Sequence, residues 1–183
     1  QTNRHSYSRQ GCAEPLVRTE DGGFAQAEVT SSGLNNGPLR GKGRYPAALA
    51  CHLTSATGAA RYDTRFRWHL RQHPYLTQSG KDRDRDETQY VANLRDGAVV
   101  GFKYFDITQL REIDVEVRGN FAGQVMVGER ADFAQLRGEC QVDLRSRHFV
   151  TKTIATSIPD GVHGLYLSFR GTGHVDLRAV VLS

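Results

Sequence analysis

The stretch Ile158–Leu182, IPDGVHGLYLSFRGTGHVDLRAVVL, decides the fold. Pro159-Asp160-Gly161 is a typical turn sequence, because proline presets φ and glycine accepts a positive φ. Two apolar series of period two follow, Leu165–Phe169 and Val175–Val181, and each is typical of a strand with one buried face. Gly171-Thr172-Gly173 lies between them and predicts a turn. The whole stretch therefore predicts a hairpin that closes a β-sandwich.

The rest of the chain carries the same alternation in separate pieces. Residues 6–30 read as a hairpin with a turn at 21–23, and residues 31–46 are rich in glycine, asparagine and proline, which favours a loop. Ala47–Leu53 predicts a short buried strand, and Ala98–Asp106, nearly all apolar or aromatic, predicts a central strand. Strands about every 8 to 12 residues predict an all-β fold, a jelly-roll β-sandwich preceded by a β-hairpin and loop segment.

Composition excludes several classes of partner. The chain has 183 residues, enough for one sizeable domain or for one domain with an appendage. It contains no run of about 18 apolar residues, so no membrane partner is expected. The net charge is +4, but basic and acidic residues are interleaved, as in Lys81–Glu87. A nucleic-acid partner is therefore not expected, because such proteins cluster their basic residues on one face.

The cysteines are Cys12, Cys51 and Cys140, an odd number with no Cys-x-x-Cys pair. This pattern predicts three buried free thiols and neither a disulfide framework nor a zinc site. Free thiols favour a reducing compartment, and both the bacterial cytoplasm and secretion stay open. Because Met126 is the only methionine, we expect the chain to be a fragment or a processed product.

No pattern in the sequence argues for catalysis. The chain has no Gly-x-Ser-x-Gly nucleophile motif, no dinucleotide-binding glycine motif and no cysteine with a credible histidine partner. His69 and His73 have the spacing of a zinc-binding helix, but the glutamate base is missing and Pro74 ends the segment. We therefore predict that this chain by itself is non-catalytic.

Two stretches point to a family. Asp96–Asp106, DGAVVGFKYFD, and residues 159–171, PDGVHGLYLSFRG, resemble the family 6 carbohydrate-binding modules. The closest likeness is to the version that follows family 43 glycoside hydrolases, such as β-xylosidases and α-arabinofuranosidases. Gln1–Leu16 is similar to the end of the five-bladed propeller of those enzymes, and Glu28–Asn35 to the connection after it. The resemblance implies a propeller-end hairpin and connecting segment at 1–73 and a module at 74–183.

The resemblance also implies a sugar site of aromatic and polar side chains. Several candidate residues lie at the ends of predicted strands, where the rim of a sandwich would be, and they match the family's site in part. Asn93 stands where the family has an aromatic residue, Phe149 where it has a tryptophan, and His174 where it has an asparagine. The predicted ligand-binding residues are Tyr90, Asn93, His148, Phe149 and His174.

A structural calcium ion is the one cofactor that the resemblance implies. Asp176 matches an aspartate that helps to bind this ion. Gln78 stands in place of the matching glutamate, and the loss of that charge should weaken calcium binding.

We therefore expect a non-catalytic module that binds xylan or arabinoxylan and keeps an upstream catalytic β-propeller near its substrate. The parent protein would be a β-xylosidase or an α-arabinofuranosidase, with its catalytic carboxylates outside this chain. The alternative is structural, in which the sandwich buttresses the propeller and binds no sugar. Apolar side chains left bare on one face would favour the structural alternative. A further alternative is that this part lends loops to the active site of the propeller.

Overall fold

The computed structural model of the protein describes residues 13–35, 37–59, 71–80 and 88–183. Strands dominate these residues, with one short 3-10 helix at Ala47–Leu49. None of the described helices is long and apolar enough to cross a membrane. The described part of the chain contains nine strands: β1 Leu39–Arg40, β2 Gly43–Pro46, β3 His52–Thr54, β4 Tyr75–Gln78, β5 Gln89–Leu94, β6 Ala98–Ile107, β7 Glu112–Gly128, β8 Leu136–Ala155 and β9 Gly161–Leu182.

Three long strands, β7, β8 and β9, run through both layers of a β-sandwich. In the first layer, the first half of β9 lies between β6 and the second half of β7 and pairs with both. In the second layer, the second half of β9 pairs with β5 and β2 on one edge and with the first half of β7 on the other. β8 follows β7 through both layers. The predicted all-β jelly-roll sandwich is confirmed.

The core lies on the inward faces of these strands. Phe102, Phe105, Phe121 and Phe169 are fully buried, and aliphatic side chains from both layers surround them. The predicted central strand is confirmed as β6, which pairs with β9 on one edge and with β1 and β3 on the other. Burial of these rings is a main source of stability, since each side chain contributes about 1.5–3 kcal/mol.

The predicted turn at Gly171-Thr172-Gly173 is wrong, because β9 is one continuous strand. Its residues stay paired with β7 through this region, where Thr172 lies opposite Ala122. Phe169 and Val175 are both buried and are six residues apart, so the alternation stays in phase across the glycines. β7 likewise continues without a turn through Gly119 and Asn120. The glycines bend the strands from one layer into the other.

Close backbone contact explains why glycine occupies these bends. Gly173 has φ +91°, and a β-carbon there would lie 2.0 Å from the carbonyl oxygen of Asn120. At Gly123, a β-carbon would lie 2.1 Å from the carbonyl oxygen of Arg170. Only glycine lets two paired strands bend together at this separation.

In the segment before β4, the predicted strand is wrong and the predicted turn is confirmed. Ala47–Leu53 is not a single strand, because the helix takes its first three residues and β3 its end. The turn at 21–23 is confirmed by an antiparallel bridge between Arg18 and Phe24. The part of the predicted hairpin before residue 13, and with it Cys12, lies outside the described residues, as do His69 and Lys81–Glu87.

Residues 13–35 are fastened to β6. The Ser31 amide donates to the Lys103 carbonyl at 2.5 Å, the Lys103 amide donates to Ser31 Oγ at 3.1 Å, and Lys103 Nζ pairs with Glu28 at 2.8 Å. β1, β2 and β3 also precede residue 74 and pair with β6 or β9. The division of the chain at residue 73 stays a prediction.

We expect Gly173→Ala to destabilise the protein more than Gly43→Ala. Gly43 has φ +118°, and no described atom lies within 4 Å of the point that a β-carbon would occupy, so its replacement costs only backbone strain, about 1–2 kcal/mol. Gly173→Ala adds the clash with Asn120 and should cost about 1–3 kcal/mol more. Urea denaturation of both variants measures the difference. Equal losses of unfolding free energy would contradict the close-approach explanation.

Candidate functional site

Three irregularities in the sheet meet at one level of the second layer. In β8, residues 147–149 lie opposite the single residue Arg118 of β7. In β9, Arg178 is the extra residue beside Glu116 and Val117. In β5, residues 92–93 lie opposite Asp176. Because a bulge re-aims side chains, all three gather polar groups around Arg118 and Asp176, which are direct partners in the β7–β9 ladder.

Asp176 is the centre of this group. Its Oδ2 accepts a hydrogen bond from Arg118 Nε at 3.0 Å, and its Oδ1 accepts one from the Asn93 amide at 3.1 Å. The side chains of Arg118 and Asp176 are only 25% and 18% exposed, so the ion pair is better shielded from solvent than a surface pair. The contact holds β5, β7 and β9 together at the level of the bulges.

Arg118 also lies over Tyr90 and Phe149, the two aromatic residues that were predicted to bind a sugar. The rings of Tyr90 and Phe149 lie 5.8 Å apart at an interplanar angle of 67°. The Cζ atom of Arg118 is 4.5 Å from each ring centroid, and Arg178 Cζ is 4.6 Å from that of Phe149. Such contacts stabilise the guanidinium groups through the ring quadrupoles. The structure therefore brings Tyr90 and Phe149 together as a buried and a half-buried ring, with arginine stacked on both.

Asn93 is buried, and its side chain hydrogen-bonds to backbone and side-chain groups of neighbouring segments. Its φ of +63° is one that asparagine tolerates better than most residues. Its Nδ2 donates to the carbonyl oxygens of Arg71 at 2.8 Å and His73 at 3.0 Å, and its Oδ1 accepts from Arg95 Nε at 2.8 Å. Through these hydrogen bonds, the side-chain amide of Asn93 links β5 to residues 71–73, which precede β4.

Glu116 positions Arg178 over the Phe149 ring. It accepts two hydrogen bonds from Arg44, at 2.7 and 2.8 Å, and one from Arg178 at 2.7 Å. The hydrogen bonds from Arg44 and then from Arg178 lower the pKa of Glu116 to about 2, against the opposing effect of burial. Glu116 is therefore ionised at neutral pH and holds both guanidinium groups in place.

A cavity of about 680 Å³ opens beside the bulges. The cavity is shallow and open to solvent, so it suits a ligand that lies along the surface. Of the predicted residues, His174 and Asp176 line it, whereas Tyr90, Asn93 and Phe149 do not. The lining residues are Arg118, Gly119, Asn120, Arg145, Ser146, Arg147, His174 and Asp176.

His148 is exposed at the edge of this region, in the bulge of β8. Its backbone amide donates to Ser146 Oγ at 3.1 Å, and the Ser146 hydroxyl donates to its carbonyl at 2.7 Å. This pair of bonds fixes the shape of the bulge. It also leaves the imidazole of His148 in solvent.

The sequence reasoning missed six of the residues that line the cavity: Arg118, Gly119, Asn120, Arg145, Ser146 and Arg147. Arg118 stands in the polar series of an alternating strand, which identifies it as outward-facing. Nothing local to the sequence shows that it meets Tyr90 and Phe149, because that contact depends on the register of three strands.

The predicted calcium ligands are not brought together. Both carboxylate oxygens of Asp176 already accept hydrogen bonds. Gln78 is buried on β4 opposite Gln89, and β5 separates β4 from β9. Within residues 13–35, 37–59, 71–80 and 88–183, no group of three or more His, Cys, Asp or Glu side chains could hold a metal ion. Asp176 and Gln78 therefore lie on strands that are not neighbours in the sheet, and calcium binding by them stays a prediction.

The thiols of Cys51 and Cys140 are free and half-buried. Burial raises the pKa of both, which keeps them protonated and unreactive at neutral pH. Neither lines the cavity. They carry no chemistry at this site.

Comparison with known proteins shows that the chain is similar to part of a longer protein. No protein-family model matches it. It is 38% identical over 181 residues to a xylosidase/arabinosidase from Thermoclostridium stercorarium, a match that includes 99% of this chain. The chain spans 38% of the length of that relative.

Solved structures confirm the fold. A family 43 arabinoxylan arabinofuranohydrolase from Bacillus subtilis matches 92% of this chain with a TM-score of 0.62 and 17% identity, over 32% of its own length. A module from Clostridium stercorarium matches 81% of this chain with a TM-score of 0.59 and 14% identity, over 98% of its length. A family 6 module from Clostridium cellulolyticum matches 79%, with a TM-score of 0.59, 13% identity and 99% of its length.

These findings confirm the resemblance seen in the sequence. The chain has the β-sandwich fold of the family 6 carbohydrate-binding modules. Its sequence matches part of a xylosidase/arabinosidase, and its fold matches part of a family 43 enzyme.

We expect Glu116→Gln to remove a pH-dependent part of the stability. The folded pKa of about 2 lies below the ordinary 4.5, so the carboxylate stabilises the fold fully above about pH 4.5, and this contribution declines as pH falls towards 2. We expect a loss of about 1–2 kcal/mol at pH 7, after allowing for solvent screening at Arg44, whose side chain is 41% exposed. Urea denaturation at pH 7 and pH 3 should show this loss shrinking by more than half.

Glu112→Gln is the matched control, because Glu112 is exposed on the same strand and its side chain makes no ion pair with the described residues. It should change stability little at either pH. A Glu116→Gln loss that stays constant from pH 7 to pH 3 would contradict the assigned ion pairs.

Proposed function

We propose that this chain is a non-catalytic carbohydrate-binding module of a glycoside hydrolase and that it binds xylan or arabinoxylan. The observation that carries the proposal is the cavity of about 680 Å³, which polar side chains from three adjacent strands line on a fold used by carbohydrate-binding modules. The choice of sugar rests on the xylosidase/arabinosidase relative and on the neighbouring structure of an arabinoxylan arabinofuranohydrolase.

Hydrogen bonds from the cavity would recognise sugar hydroxyl groups. Asn120, Arg145 and His174 are exposed, and they lie in register across β7, β8 and β9. With strands about 4.8 Å apart, they form a row about 10 Å long. Within this row, Asn120 and His174 offer both donors and acceptors, which suits the hydroxyls of a short oligosaccharide.

Aromatic stacking would add to these bonds only if Arg118 moved. A ring that covers about 60 Å² of sugar contributes roughly 1.5 kcal/mol. Arg118 takes the place of a sugar against Tyr90 and Phe149, at 4.5 Å from each ring centroid. Hydrogen bonds alone, or hydrogen bonds together with stacking of the sugar on one ring, predict dissociation constants of about micromolar to millimolar. Such binding would act by raising the local concentration of substrate for an upstream catalytic β-propeller.

One observation favours the structural alternative. Residues 13–35 carry several large apolar side chains that are 61–72% exposed, although scattered exposure of this kind is common on protein surfaces. Contact with an upstream propeller would bury them and would make this part of the chain a buttress. These side chains are Leu16, Val17, Phe24, Val29 and Leu34.

Calorimetric titration of the folded chain with xylo-oligosaccharides and arabinoxylan tests the proposal. We expect Asn120→Ala and His174→Ala each to weaken binding roughly 3- to 10-fold, because each removes one or two hydrogen bonds. Gln141→Ala is the control, because Gln141 is an exposed amide on β8 in the first layer. Phe149→Ala tests whether stacking contributes, and titration with calcium tests the predicted Asp176 and Gln78 site.

Absence of heat with every xylan ligand, from a sample shown to be folded, would contradict the binding function and favour the buttress. Binding that is unchanged in Asn120→Ala and His174→Ala would place the sugar elsewhere.

A further inference from the structure

The cavity carries a positive charge that a neutral sugar does not use. Its lining includes three arginines, Arg118, Arg145 and Arg147, and one carboxylate, Asp176. Arg118 and Asp176 neutralise each other at 3.0 Å. Arg145 and Arg147 therefore carry two guanidinium charges that Asp176 does not compensate.

Arg145 and Arg147 are exposed, and neither forms an ion pair or side-chain hydrogen bond with the residues that the structure describes. Asp143 is the nearest acidic residue along β8, and it is exposed but does not line the cavity. Arginines that support the fold here, such as Arg44 and Arg178, are each engaged with Glu116. Arg145 and Arg147 are thus available to a ligand.

Their position suits a carboxylate on a glycan. Arg145 is in the register row with Asn120 and His174, and Arg147 lies in the bulge beside it. A guanidinium group binds a carboxylate through two parallel hydrogen bonds, which a hydroxyl group cannot match. A sugar that is hydrogen-bonded along the row would therefore bring a neighbouring acidic substituent to these two side chains.

We infer that the cavity selects acidic glycans and that Arg145 and Arg147 bind the carboxylate of a uronic acid substituent on the polysaccharide. The inference rests on the proposed carbohydrate binding and specifies its ligand. It assigns Asn120 and His174 to the sugar hydroxyls and the two arginines to the charge.

The test is titration of the folded chain with a xylo-oligosaccharide carrying one glucuronic acid and with the same oligosaccharide after reduction of its carboxyl group. We expect the acidic ligand to bind at least about tenfold more tightly at low salt. Raising NaCl from about 20 to about 200 mM should remove much of that difference, since exposed charges are screened. The reduced ligand should show little dependence on salt.

Arg145→Gln and Arg147→Gln should each lower the affinity for the acidic ligand about 3- to 10-fold and that for the reduced ligand by a clearly smaller factor, because both side chains line the cavity but only the acidic ligand uses their charge. Arg145→Lys keeps the charge but loses the paired hydrogen bonds, so it should lie between the wild type and Arg145→Gln. Arg111→Gln is the matched control, because Arg111 is exposed, lies just before β7 and does not line the cavity.

Equal affinity for the acidic and the reduced ligand would overturn the inference and leave carbohydrate binding intact. Binding of free glucuronate or inorganic sulfate as tight as that of the acidic oligosaccharide would also overturn it, by showing non-specific anion binding. Binding of neither oligosaccharide would overturn both this inference and the proposed function.

Discussion

The backbones of β7 and β9 pass together from one layer of the sandwich to the other, with no room for a β-carbon at several of the residues where they bend. At Gly173 and Gly123, the opposing carbonyl oxygen lies 2.0 and 2.1 Å from where that carbon would be. The ladder between the two strands stays paired through the bend. Both layers therefore share the same strands, and the register of one layer fixes that of the other.

The candidate site follows from this shared register. Once β7 and β9 are paired, Arg118 lies opposite Asp176, and the bulges of β5, β8 and β9 fall at the same level. Arg118 then links the carboxylate of Asp176 to the rings of Tyr90 and Phe149. The cavity lies immediately beyond this group, where Asn120 follows the second-layer part of β7 and His174 precedes that of β9.

The alternating patterns predicted the fold class well, because period-two burial is a local property of each strand. Ala98–Asp106 was predicted correctly as a central strand for that reason. Gly171 and Gly173 misled the prediction, because glycine in a turn and glycine in a bent strand look alike in sequence. The unbroken phase from Phe169 to Val175 was the signal that distinguishes the two.

The site was only partly predictable, for a related reason. Tyr90 and Phe149 were identified, and the structure places them in contact. The arginine on top of them was not, because its position depends on bulges that change the register between strands. Arg145 and Arg147 looked like ordinary outward residues of an alternating strand. Only the pairing of Arg145 with Asn120 across the ladder shows that they face a shared cavity.

The most direct test of the account is to map the binding surface by NMR. The backbone amide resonances of the folded chain would be followed during titration with a glucuronic-acid-bearing xylo-oligosaccharide. The account predicts that the largest shifts fall at Arg118–Asn120, Arg145–Arg147 and His174, with β6 and residues 13–35 unchanged. Shifts concentrated on β6 or on residues 13–35, or no shifts at all, would contradict it.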